Sequence, residues 1–102
     1  MKTDNTIELK ASRVRFFSSQ DEAAFFSWIE KIPSIKSCEG RGSVIYMYVI
    51  RDVINENDLR ELLSLFRRYG VDMKQLSIFD DNQFSSWFRD KNAYWYASVF
   101  AS

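Results

Sequence analysis

The segment Ser43-Val44-Ile45-Tyr46-Met47-Tyr48-Val49-Ile50 constrains the fold of this chain more than any other. Read as a strand, it places Val44, Tyr46, Tyr48 and Ile50 on one face and Ile45, Met47 and Val49 on the other. Successive side chains point to opposite sides of a strand, so neither face here is made for water. A strand of this kind belongs in the middle of a sheet, with cover on each side.

The flanking sequence supplies the neighbours. From Thr6 to Phe17 apolar residues alternate with Glu8, Lys10, Arg13 and Arg15, which reads as strand. The apolar phase slips between Ala11 and Val14, which predicts either a bulge near Ser12 or two short strands. Ser19-Gln20-Asp21-Glu22 has the form of a capping box. Behind it Phe25, Trp28, Ile29 and Ile32 form a helical stripe that Pro33 ends. Ser34–Cys38 reads as a short strand, followed by a turn at Glu39-Gly40-Arg41-Gly42. Asn55-Glu56-Asn57-Asp58 opens a second helix bearing Leu59, Leu62, Leu63 and Phe66, with Gly70 placed to close it. Lys74–Phe79 reads as a strand with Leu76 and Ile78 on one face. Asp80 or Asp81 then caps a third helix carrying Phe84, Trp87 and Phe88. Periodicity leaves residues 93–100 open between helix and strand.

The resulting order, β-α-β-β-α-β plus an aromatic tail, predicts an α+β fold of the ferredoxin-like kind: an antiparallel sheet with two helices on one face. Residues 1–102 form a single domain in this reading, with residues 1–5 frayed at the start. Three glycines, one proline and no linker or repeat agree with that. The ferredoxin-like plan leaves one sheet face bare, and the segment 80–102 is expected to fold back over it. A partner molecule is the alternative cover.

Composition narrows the chemistry. The chain has no histidine and one cysteine, Cys38, so an internal disulfide, a Ser–His or Cys–His couple and an ordinary zinc site are out of reach. Lys+Arg and Asp+Glu are both 14, which argues against bulk attraction to nucleic acid or an anionic membrane. No apolar run spans a bilayer and Met-Lys-Thr-Asp-Asn opens no signal peptide, so a cytoplasmic location is expected. Aromatics, at 17%, are the one excess, and Tyr and Trp favour interfaces as well as cores.

Specific motifs fare poorly. Arg41–Tyr48 sits where an RNA-recognition domain carries its RNP1 motif, yet the two base-stacking positions hold Ser43 and Ile45. The oxygen-rich runs at Asp52–Asp58 and Asp80–Asn82 lack the order of a calcium loop and are explained by helix capping. Cys38 has no partner to activate it and reads as an inert thiol. No cofactor, metal or catalytic residue is expected, and binding remains as the leading class. The acidic surface of Asp52, Glu56, Asp58, Asp80 and Asp81 suits docking onto a basic protein, with exposed tyrosines as anchors.

At the C-terminus, Trp87-Phe88-Arg89-Asp90, Ala93-Tyr94-Trp95-Tyr96 and Val99-Phe100 resemble the ends of small bacterial immunity proteins. These accompany polymorphic toxins, including those of contact-dependent growth inhibition systems. The resemblance implies a non-catalytic inhibitor that neutralises a cognate toxin domain, often a nuclease, by stoichiometric binding. The contacts would then come from Asp52, Glu56, Asp58, Asp80 and Asp81, with Tyr94 or Tyr96 as anchors. The alternative reading is a homodimeric ferredoxin-like domain that senses a small ligand or regulates, with the bare sheet face as dimer contact or pocket.

Overall fold

A computed structural model describes residues 5–101. It is an α+β arrangement: β1 (Thr6–Ser12), α1 (Ser19–Glu30), β2 (Ile35–Arg41), β3 (Val44–Ile50), α2 (Glu56–Tyr69), α3 (Ser85–Phe88) and α4 (Tyr96–Phe100). Two stretches of 3-10 helix, Arg51–Val53 and Met73–Phe79, lie between them. The three strands form an antiparallel sheet in the order β1-β3-β2, so β3 takes the central place its two apolar faces demanded.

The register sorts the side chains. Ile7, Leu9 and Ala11 stand opposite Val49, Met47 and Ile45, and Cys38 stands opposite Met47. Leu9, Ala11, Met47 and Val49 are buried and join one core with Phe25 and Ile29 of α1 and Leu59, Leu62, Leu63, Leu65 and Phe66 of α2. Tyr46, Tyr48, Val44 and Ile50 face the other way and stay half-exposed. The hairpin between β2 and β3 turns on Gly42-Ser43 alone, two residues later than the expected turn. Gly42 has φ of 61°, as a two-residue turn with glycine at its first central position requires.

Several boundaries move for identifiable reasons. The phase slip after Ala11 is neither a bulge nor a second strand: β1 ends at Ser12 and Arg13 turns the chain with φ of 55°. Its N–H still reaches Ser43 O at 2.8 Å. Val14 and Phe16 are thereby re-aimed inward, and Phe16 packs edge-on against Phe25 and Tyr69. The cap of α1 is Ser18 rather than Ser19: its Oγ accepts from Asp21 N at 3.1 Å, and Asp21 reaches back to Phe17 N at 3.0 Å. Asn5, expected to fray, accepts Arg51 N at 2.8 Å through its carbonyl; residues 1–4 lie outside the described residues.

The expected fourth strand is the main correction. Lys74–Phe79 falls within the 3-10 helix Met73–Phe79, so the described residues form three strands and not the complete βαββαβ sheet. Met73, Leu76 and Phe79 are the buried residues of this stretch, spaced by three, while Ile78 is 41% exposed. Three residues per turn is the 3-10 repeat, and it stacks those three on one side. Gln75 from this helix brackets the free edge of β1: its Oε1 accepts Lys10 N at 2.9 Å and its Nε2 donates to Lys10 O at 2.8 Å. A side-chain amide thus stands where a fourth strand would pair.

The C-terminal segment also departs from expectation. It packs on α2 and the Met73–Phe79 helix rather than spreading over the bare sheet face. Arg60 of α2 lies 4.1 Å from the Trp87 ring centroid and 5.9 Å from that of Trp95. Trp95 donates its indole N–H to Phe88 O at 2.8 Å, and Phe84 and Phe88 are buried. The last ambiguous stretch is helical, over Tyr96–Phe100.

Two substitutions test this account of the fold. Ser34 is wholly buried and its Oγ has no partner, so Ser34→Ala should raise stability by about 1 kcal/mol. Gly70 closes α2 with φ of 69°, donating its N–H to Phe66 O, and nothing crowds the space of a Cβ. The penalty at Gly70→Ala is therefore backbone strain alone, about 1 kcal/mol of lost stability. Urea unfolding midpoints measured on both variants check the opposite signs.

Candidate functional site

A groove made of adjoining hollows runs along α1, α2 and the C-terminal segment. Trp28 on α1 forms its central ridge, donating its indole N–H to Glu61 Oε1 of α2 at 2.8 Å. On one side of Trp28 lies a hollow of about 540 Å³ bordered by Ala24, Lys31, Asn57 and Glu61. On the other is a hollow of about 430 Å³ bordered by Ser64, Arg67, Arg68 and Tyr94. Arg68 then leads into a third, of about 470 Å³, bordered by Arg15, Phe17, Asp21, Tyr69 and Gly70.

Local sequence explains each position. Trp28 is the outermost member of the α1 stripe, half-buried because its N–H needs a partner at the edge of the core. Arg67 and Arg68 occupy the last turn of α2, where positive charge meets the negative end of the helix dipole. Tyr94 is held by its hydroxyl to Ser64 Oγ at 3.2 Å and packs edge-on against Trp95 with centroids 5.0 Å apart. The turn at Arg13 sends Phe17 outward, and it is 82% exposed beside the groove.

The charge along this groove is unbalanced. Arg41, Arg51, Arg60 and Arg89 each lie within ion-pair distance of a carboxylate. Among the described residues Arg15, Arg67 and Arg68 have no such partner. Two carboxylates line the groove, and their bonds are to neutral donors: Asp21 accepts Phe17 N and the Tyr69 hydroxyl, and Glu61 accepts Trp28. Four basic side chains, Arg15, Lys31, Arg67 and Arg68, line it with them. Desolvation, followed by the bond to Asp21, pushes the Tyr69 phenol above its ordinary range, which keeps it a donor. The groove therefore presents fixed aromatics and an excess of basic side chains, three of them arginines outside ion-pair distance of a carboxylate.

The acidic residues singled out in the sequence are dispersed in role. Asp58 is 2% exposed in the first turn of α2, so it is not part of the docking surface. Glu56 pairs with Arg60 at 2.8 Å, and Asp80 with Arg89 through both carboxylate oxygens. Asp81 accepts Gln83 N at 3.0 Å and lies 3.9 Å from Arg51. Asp52 is exposed and accepts the Asn5 amide at 3.4 Å. Of the two tyrosines, Tyr94 is 47% exposed in the groove, whereas Tyr96 is half-buried against Phe100. Sequence reasoning missed Phe17, Trp28, Arg67 and Arg68 as surface features. The available signal was the adjacent pair Arg67-Arg68, with no acidic residue from Glu61 onward to balance it before Asp72.

Among the described residues no group of three or more His, Cys, Asp and Glu is placed to hold a metal ion. No helix there is long and apolar enough to cross a membrane. Comparison with family models, curated proteins and solved structures finds no match, so function is read from the chain's own geometry.

Cys38 lies half-buried on β2, and burial, then the neighbouring Glu39 carboxylate, pushes its thiol up. A raised value lowers the thiolate fraction at any pH below it, and the thiolate is the reactive form. In the folded protein at about pH 8, iodoacetamide should therefore modify Cys38 several-fold more slowly than free cysteine. In urea the rate should rise to the free value, which mass spectrometry of timed aliquots checks.

Proposed function

We propose that this chain is a non-catalytic protein-binding module of the immunity type, acting in the cytoplasm by stoichiometric capture of a toxin domain. The observation that carries the reading is the groove itself: Trp28, Tyr94, Arg67 and Arg68 converge there, with Phe17 exposed beside it. Trp, Tyr and Arg are the residue types that dominate binding energy at protein interfaces. The two aromatics are braced by the fold, Trp28 through Glu61 and Tyr94 through Ser64, so they lose little ordering entropy on contact. The resemblance of the aromatic tail to immunity proteins supplies the toxin as the class of partner.

The charge pattern revises the expected chemistry of that contact. The acidic residues are mostly paired or buried, whereas Arg15, Arg67 and Arg68 are uncompensated. The partner surface in this proposal is acidic and apolar, with carboxylates meeting the guanidinium forks.

Co-expression with the product of the adjacent open reading frame tests the reading. The expected result is relief of growth arrest and a one-to-one complex. In titrations of that complex, Tyr94→Ala and the pair Arg67→Glu with Arg68→Glu should each weaken binding by about thirtyfold or more. Asp52→Lys should change it less than about threefold. Unchanged affinity in the arginine and tyrosine variants overturns the groove as contact; no relief and no complex overturns the immunity reading.

A further inference from the structure

We infer that the outer face of the three-stranded sheet is a self-association surface, on which a second copy of this chain packs face to face. This stands apart from the toxin-binding reading, because it uses the opposite side of the molecule's core. The central column of the face is Val44, Tyr46, Tyr48 and Ile50, all half-exposed and none part of the core. The flanking columns are polar: Glu8, Lys10 and Ser12 on β1, and Ser37, Glu39 and Arg41 on β2. An apolar centre within a polar rim is the anatomy of a protein interface.

The register shows why a second copy fits. Lys10 and Glu39 both stand level with Tyr46, on opposite flanks. A two-fold axis parallel to β3 lays each β1 over the other copy's β2 at the same level. Lys10 of one copy then meets Glu39 of the other, twice over, while Glu8 meets Ser37 and Ser12 meets Arg41. No like charges oppose each other, and Tyr46 meets Tyr46 at the centre. Within one chain Glu39 and Arg41 lie 3.5 Å apart at the exposed edge and both meet the Tyr48 hydroxyl, which donates to Glu39 at 3.3 Å and accepts from Arg41 at 3.2 Å. Arg41 also stacks 4.1 Å over Tyr46, and Lys10 is 5.9 Å from the same ring.

Size sets the strength. Seven residues by three strands cover about 350 Å² per copy, on the order of 700 Å² in the pair. Stable interfaces bury about 1,600 Å², so the dimer is weak and transient.

Sedimentation equilibrium of the full chain from about 10 µM to about 1 mM tests this. The mass should climb from one chain toward two. Lys10→Glu and Glu39→Lys should each weaken association by about tenfold, and the double swap should restore it. Circular dichroism confirms that each variant is folded. A monomer throughout, association indifferent to the single changes, or association abolished by Arg67→Glu with Arg68→Glu instead would each overturn the inference.

Discussion

The burial of α2 is the constraint on which the other elements depend. Leu59, Leu62, Leu63, Leu65 and Phe66 are all fully buried, and at 100° per residue they span an arc of about 160°. That is wider than a helix lying on one sheet needs. One layer cannot cover it, so α1, the sheet and the Met73–Phe79 helix share one core around it. The polar side of the helix is then closed by aromatics, with Arg60 stacked on Trp87 and Ser64 bonded to Tyr94. Once the C-terminal segment is committed there, it is not the cover for the outer face of the sheet.

The same helix organises the charge. Glu56 and Asp58 lie in its first turn and Arg67 and Arg68 in its last, each matching the helix dipole. The acidic end is then taken up within the fold: Glu56 pairs with Arg60 one turn along the same helix, and Asp58 is buried. The basic end acquires no such partners. A chain of zero net charge therefore carries a locally basic, aromatic groove, and it is this local imbalance rather than total charge that a partner would meet.

Much of the fold was legible because it follows from short-range rules. The apolar runs of α1 and α2 and the two-faced β3 each state their own conformation. Gly70 ends α2 where the residue pattern placed it, because a left-handed C′ position suits glycine. Lys74–Phe79 was misread for an equally local reason. Leu76 and Ile78 alternate like a strand, but Met73, Leu76 and Phe79 repeat every three residues, and both patterns coexist in seven residues. Only packing against neighbouring elements selects between them. The groove was less legible, since Trp28 and the arginines look like ordinary stripe and helix-end residues.

What the sequence determined by itself is the set of local periodicities, the capping chemistry and the absence of imidazole from any reaction this chain performs. The tertiary structure decided which carboxylates are buried or bonded across elements, which side chains line the groove and which sheet face the other described elements leave uncovered. Those outcomes depend on contacts between residues far apart in the chain, such as Trp28 with Glu61 and Gln75 with Lys10. Periodicity carries no information about such pairs, because it measures a residue's relation to its own helix or strand and not to the element packed against it.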